Sequence, residues 1–173
     1  MKHDLDNLIL EAQGGNGRAF ADVYSFYAND LYRFALYFTG NSADAEDCVQ
    51  EAVLLSFKNI TSLKKPSAFK SWMFKILANV CKTKLSVPAD RLYAVPIHEI
   101  SDTAADKNQS DMVLSAELSD ALNSLAFEEK QIVLLSVIGR YKSREIAEIL
   151  DLQAGTVRSK LSRSLTKLRD ILQ

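Results

Sequence analysis

The side chains best equipped for chemistry in this sequence are basic, and they fall in two places. Between Glu51 and Asp90 there is no carboxylate, yet the span carries Lys58, Lys64, Lys65, Lys70, Lys75, Lys82 and Lys84, interleaved with Phe57, Phe69, Trp72 and Phe74. Immediately upstream stands an acidic cluster, Asp44, Glu46, Asp47 and Glu51. Near the far end, Arg158, Lys160, Arg163, Lys167 and Arg169 follow one another with no acid until Asp170. Cations neutralise phosphates, and arginine pairs with guanine edges through two hydrogen bonds. An aromatic ring that stacks on an unpaired base contributes about 1–3 kcal/mol, comparable to the cost of drawing that base from a duplex. The pattern therefore points to nucleic acid. Each run also has a plainer explanation: Phe69, Met73 and Trp72 could be core, and bases near a helix C-terminus are favoured by the helix dipole alone.

Bond-making chemistry finds little support. The glycine-rich word "AQGGNG" at 12–17 lacks the Lys-Ser/Thr of a phosphate loop and reads better as the end of a first helix. His3 and His98 stand alone. Cys48 and Cys81 form no C-x-x-C word and fall in apolar helical patterns, so buried free thiols are expected rather than a disulfide or zinc site. The expectation is no enzyme, no metal, no cofactor and no small-molecule substrate. The first ten residues, "MKHDLDNLIL", lack the apolar core of a signal peptide, and no apolar run approaches the ~20 residues of a membrane span, so the default location is the cytoplasm.

Helices must position these groups. Gly and Pro number only 6 and 3 in 173 residues, and the hydrophobic share of 47% with a net charge of −1 is that of an ordinary globular chain. From 16 to 85 the period is helical. Phe20, Val23, Tyr24, Tyr27, Leu31, Phe34, Ala35 and Phe38 make one wide stripe, closed by Gly40 as a C-cap, with Ser42 as the next N-cap. Val49, Val53, Leu54 and Phe57 would form the buried side of a second helix. Ser67 would cap a third, with Phe69, Met73, Ile76, Leu77 and Val80 inward. The acid cluster and the lysine run thus fall on one helical hairpin with two surfaces of opposite sign. From 86 to 110 the period vanishes and acids outnumber bases. That span reads as a linker with a short ordered piece at 92–97. Four more patterns follow at about 112–125, 128–138, 143–150 and 154–171. The expected class is all-α, with two small helical domains at 1–85 and 111–173 joined by the 86–110 linker.

The last two patterns make a helix-turn-helix candidate. Ile146, Ile149 and Leu150 face inward on one helix, and Val157, Leu161, Leu165 and Leu168 on the other. Ala147 sits at the crossing and Leu152 plugs the turn. Such a pair can seat its second helix in a DNA major groove. Asp151 stands where the turn favours glycine, a conformation that aspartate tolerates, and Gln153 stands where Ser or Thr would cap better.

Three words, "DAEDCVQEAVLLSF", "FKSWMFKILANVCKTKL" and "EEKQIVLLSVIGRYKSREIAEILDLQAGTVRSKLSRSLTKLR", resemble regions 2 and 4 of bacterial RNA polymerase sigma factors of the extracytoplasmic-function (ECF) type. The resemblance covers about 20–85 and 114–172. It implies a promoter-specificity subunit that binds core polymerase and directs initiation by recognising and melting promoter DNA. It implies that Asp47, Gln50 and Glu51 dock on the polymerase. The loop 59–67, with Lys64 and Lys65, would capture a flipped base of the start-proximal element, and Trp72, Lys75 and Asn79 would meet the DNA beside it. Thr156, Arg158, Ser159, Lys160, Ser162 and Arg163 would read the upstream element. The implied partners are core RNA polymerase, promoter DNA and an anti-sigma protein. A stand-alone regulator with an N-terminal sensing domain remains the alternative. A sensor, however, would have no need of the opposed charges on the 44–84 hairpin.

Overall fold

In the computed structural model, residues 2–86 and 115–173 are described, and among them the only regular elements are helices. The 86–110 linker, its ordered piece at 92–97 and His98 lie almost wholly outside the described residues. The front body comprises α1 (Lys2–Gln13), α2 (Gly17–Thr39), α3 (Ser42–Asn59) and α4 (Phe69–Ser86), with two short 3-10 turns, Ile60–Ser62 and Pro66–Ala68, between the last two. The rear body comprises α5 (Ala116–Asn123), α6 (Phe127–Val137), α7 (Ser143–Leu150) and α8 (Ala154–Leu172).

The α2 stripe packs as its period predicts. Phe20, Val23, Leu31, Phe34, Ala35 and Phe38 are buried, and Tyr24 and Tyr27 pack partly buried beside them. Gly40 ends the helix at φ 82°, its N–H donating to the Leu36 carbonyl, a left-handed cap that glycine adopts without a Cβ penalty. Asn41, not Ser42, caps α3: its side-chain oxygen accepts the Asp44 N–H at 2.8 Å, and its amide donates to the Asp44 carboxylate at 2.6 Å. Ser67 does not stand at a helix start either. Lys65 is the boundary residue, and Pro66 opens the 3-10 turn that runs into α4. A proline at that position needs no partner for an N–H it lacks.

The inward face of α3 also differs from expectation. Ala45, Cys48, Val49, Ala52 and Ser56 are buried, whereas Leu54 is 70% exposed and Phe57 43%. The buried positions follow 3- and 4-residue spacing but are small, so they let α2 and α4 approach closely. Residue size is a poor guide to burial on such a face. Cys48 and Cys81 meet there as buried free thiols. A hydrogen bond from Cys81 lowers the Cys48 pKa, and the same bond raises that of Cys81.

In the rear body, α5 opens at Ala116 behind the Ser115 cap, and the 112–114 start of its expected pattern lies outside the described residues. Glu129 and Glu145 reach back to the N–H groups of Ala126 and Lys142, at 3.0 and 2.7 Å, and tie down the starts of α6 and α7. Ile146, Ile149, Val157 and Leu168 are buried as expected, but Leu165 is 43% exposed and Ser164 takes the inward place beside it. Asp151 holds φ 56° and ψ 46°, the left-handed cap of α7. Leu152 N–H donates to the Ala147 carbonyl at 2.8 Å, which fixes the turn between α7 and α8.

The two bodies share one apolar core. Phe38 of α2 meets Phe127 of α6 edge to face at 4.9 Å, and Phe74 of α4 meets Tyr141 at 5.7 Å. Gln131 of α6 donates to the Ala78 carbonyl of α4 at 3.3 Å in a buried position.

Candidate nucleic-acid interface

The α3–α4 hairpin gathers acids toward its open end and lysines toward the connection between its helices. Toward the open end, Asp47, Gln50, Glu51 and Leu54 of α3 line a shallow groove of about 540 Å³ with Val80, Thr83 and Lys84 of α4. Lys84 is clipped to both acids across the hairpin, 2.9 Å from Asp47 and 3.2 Å from Asp44. Partial burial works to lower the Lys84 pKa, but hydrogen bonds and charge from Asp47 and Asp44 outweigh it, and the net shift is upward. Asp44 is shifted down, first by its hydrogen bond from Asn41 and then, against some desolvation, by Lys84. Gln50 and Glu51 are exposed beside Leu54.

The connection end gathers the lysines. Lys64 and Lys65 are exposed in the connection before α4, and Asn79 is exposed on the helix itself. Trp72 is half-buried, its ring 6.1 Å from that of Phe69. It lies on the rim of two hollows: one of about 370 Å³ with Glu51, Asn59, Ser62 and Asn79, and one of about 690 Å³ with Lys64, Lys65, Lys70 and Lys75. Trp72 is therefore neither pure core nor free surface. Lys75 is turned toward the rear body, where its ammonium lies 3.1 Å from the Asp151 carboxylate.

On α8, Arg158, Ser159, Ser162 and Arg163 are exposed on the side away from the rear core, and Thr156 is half-buried at its start. The Ser159 hydroxyl donates back to the Gly155 and Thr156 carbonyls, each at 3.1 Å, and Arg163 Nε donates to the Ser159 carbonyl at 3.3 Å. Lys160 differs from its neighbours: it is ion-paired to Glu128 of α6 and half-buried, which makes it a brace between helices. Gln153 makes no side-chain cap, and the first turn of α8 holds no acid.

Sequence reasoning overlooked three residues. Leu54 looked like core because of its size. Tyr141 carried no signal, yet it lines the larger hollow with its hydroxyl buried and without a hydrogen-bond partner. Lys70 counted only as one of many lysines, but it donates to the Gly139 carbonyl at 2.9 Å and sits 5.1 Å over the Tyr141 ring.

These features define a two-part helical DNA-binding protein: a helix-turn-helix at the rear, and in front a hairpin with one acidic and one basic end. Residues 23–86 match the family model of sigma-70 region 2, and residues 115–168 that of sigma-70 region 4. Over 177 residues the chain is 28% identical to the ECF RNA polymerase sigma factor SigW of Bacillus subtilis, covering 95% of each. Its fold is similar to that of CnrH, solved with the cytosolic domain of CnrY (TM-score 0.73, 22% identity, 97% of this chain and 96% of that one). It is also similar to the sigma factor RpoE of Bartonella quintana, solved with the anti-sigma factor NepR (TM-score 0.70, 22% identity, 88% and 96%). The chain belongs to the ECF sigma factors, and it is a promoter-specificity subunit of RNA polymerase.

Proposed function

We propose that the work divides between a front unit, residues 1–85, and a rear unit, 111–173, with 86–110 as the tether. Asp47, Gln50 and Glu51, with Leu54 exposed among them, dock on the core enzyme. The apolar side chain supplies contact area and the acids supply complementarity to a basic partner. Lys64, Lys65, Trp72, Lys75 and Asn79 engage the start-proximal element and hold its opened strand. Cations track the phosphates while the indole offers a stacking face. Arg158, Ser159, Ser162 and Arg163 read the upstream element as duplex, and Thr156 contacts its backbone. Lys160 contributes field rather than a base contact, given its pairing to Glu128.

The observation that supports this reading is the layout of charge along one hairpin: the acids lie with Leu54 and Lys84 toward its open end and Lys64, Lys65, Lys70 and Lys75 toward the connection, with Glu51 lining both the acidic groove and the smaller hollow beside Trp72. Docking and strand capture then occupy neighbouring stretches of α3 and α4. The chain acts as an initiation factor and contributes no catalytic centre of its own. No helix among the described residues is long and apolar enough to cross a membrane, which accords with work in the cytoplasm. The solved complex of the Bartonella quintana sigma factor with NepR supports an anti-sigma partner here as well.

Transcription by core enzyme on a pool of genomic DNA, with and without this chain, tests the proposal. The expected result is a discrete set of start sites that depend on the chain and share two sequence boxes. A stand-alone regulator would instead bind duplex operator without the enzyme and create no new starts.

A further inference from the structure

The connection between α3 and α4 is held from outside the hairpin. Its first 3-10 turn closes through the Leu63 N–H, which donates to the Ile60 carbonyl at 3.2 Å, and its second through the Ala68 N–H, which donates to the Lys65 carbonyl at 3.0 Å. Ile60 and Leu63 are each 5% exposed, whereas Lys64 and Lys65 between the turns lie in solvent. A further contact comes from far away in the chain. Gln13, the last residue of α1, sends its side-chain amide into this connection: Nε2 donates to the Leu63 carbonyl at 2.7 Å and to the Ile60 carbonyl at 3.2 Å. An amide nitrogen carries two hydrogens, and each finds an acceptor here. Gln13 in turn sits on a firm corner. Ile9 and Ala12 before it are buried, the Gly14 N–H closes on the Leu10 carbonyl at 3.1 Å, and Asn16 caps α2 by accepting from the Arg18 and Ala19 N–H groups, each at 3.1 Å. The whole of α1 lies ahead of the span 23–86 that matches sigma-70 region 2.

We propose that Gln13 is a positioning residue for strand capture, which sets the path of the Lys64–Lys65 segment through its clasp on the Ile60 and Leu63 carbonyls. The inference rests on the assignment of 59–67 to the start-proximal element. The Leu63 carbonyl and the Lys64 N–H belong to one rigid peptide plane. The bond that orients that carbonyl therefore also sets the direction in which the chain enters Lys64 and Lys65. Ser62, Leu63, Lys64 and Lys65 line the larger hollow with Trp72, and Ser62 lines the smaller one with Asn59 and Asn79. A base seated there meets walls whose spacing depends on the path of the loop. Selective recognition needs such walls held to within about 0.5 Å by a supporting layer of hydrogen bonds. Gln13 supplies that support without touching the base. A strut of stability alone would leave base selectivity unchanged.

Hydrogen exchange on the full chain reads the clasp. In the wild-type chain the side-chain amide protons of Gln13 should exchange several-fold more slowly by NMR than those of Asn29, which is exposed on α2. Gln13→Met keeps the length and helix preference of the side chain and removes both donors. In this variant backbone exchange over 61–65 should rise about fivefold, while exchange over 76–82 of α4 stays as in wild type. Gln13→Lys, which restores a donor, should bring the loop rate back toward wild type. Transcription with core enzyme reads the consequence, on a chain-dependent promoter carrying each base in turn at every position of both boxes. Gln13→Met should lower discrimination at the most selective start-proximal position about fivefold and leave the upstream box as it was. Gln13→Lys should restore most of that selectivity. Equal exchange of the Gln13 and Asn29 side chains in the wild-type chain would overturn the clasp, whether or not any variant folds. Faster loop exchange with discrimination intact, or an equal loss at both boxes, would overturn the positioning role. Failure of the assigned function would appear separately, as an absence of start sites that depend on the wild-type chain.

Discussion

At the scale of single residues, surface and packing roles separate cleanly. Arg158 is exposed on α8 with its guanidinium on the open face. Arg158→Ala should cost about 1–3 kcal/mol at one base position of the upstream element and relax discrimination there. Competition between promoters that differ at single positions is the measurement, and a uniform loss over all positions would recast Arg158 as a phosphate contact. Gly139 is the opposite case. A Cβ there would lie 2.6 Å from a Tyr141 ring carbon and 2.7 Å from the Leu135 carbonyl, next to Arg140 at φ 59°. Gly139→Ala should destabilise by about 1–3 kcal/mol through overpacking, lowering the melting temperature by several degrees on a calorimetric scan. The exposed basic face of α8 was legible in the sequence because arginines with no acid among them stand opposite a leucine stripe. The diversion of Lys160 to Glu128 was not, since nothing in a one-dimensional pattern marks which lysine meets a carboxylate thirty-two residues away.

At the scale of elements, α3 shows what periodicity reveals and what it hides. The helix, its extent and its acidic first turns followed from the sequence. Its orientation did not, because the buried stripe is built from Ala45, Cys48, Ala52 and Ser56, and the large Leu54 points outward. That orientation has a direct consequence. Leu54→Ser should leave folding stability within about 0.5 kcal/mol, as an exposed substitution, yet weaken association with core polymerase, as measured by competition with wild type for a limiting amount of enzyme. The start of α3 carries a pH signature. The amide of Asn41 donates to Asp44, and with Lys84 nearby the carboxyl is held below its ordinary range. A depressed carboxyl stabilises the fold above its unfolded value, about 3.9, and that stability is lost as the pH falls through the lower folded value. Asn41→Ala should therefore cost about 1 kcal/mol near neutral pH, as a lost N-cap, and less in acid, where Asp44 is protonated in both chains. Urea midpoints taken from neutral pH downward should converge; a constant offset would mean that the Asn41–Asp44 bond contributes nothing specific to the ionised form.

At the scale of the whole molecule, the class and the two-body plan were readable, but the packing of one body on the other was not. Of the four rings at the contact only Phe38 fits an expected stripe by spacing, and its meeting with Phe127, like that of Phe74 with Tyr141, depends on a fit between surfaces that no local pattern encodes. Reach then sets a requirement on the span between the bodies. On the proposed division of the chain about 25 residues join the two bodies, with an extended limit of ~80 Å. Promoter boxes one and a half to two turns apart are separated by ~50–70 Å. Both boxes are thus within covalent reach only when the bodies have parted and the enzyme holds the tether open. Deleting residues 92–106 would leave about ten residues of that span, with a limit of ~35 Å, short of even the nearer spacing. The shortened chain should still co-elute with core polymerase through the front body and should still bind upstream-box duplex through the rear one. Its transcription from two-box promoters should fall to background. Restoring the length with an unrelated Gly-Ser segment should recover initiation if reach is the requirement. Recovery only with the native residues would instead assign the tether a contact of its own on the enzyme.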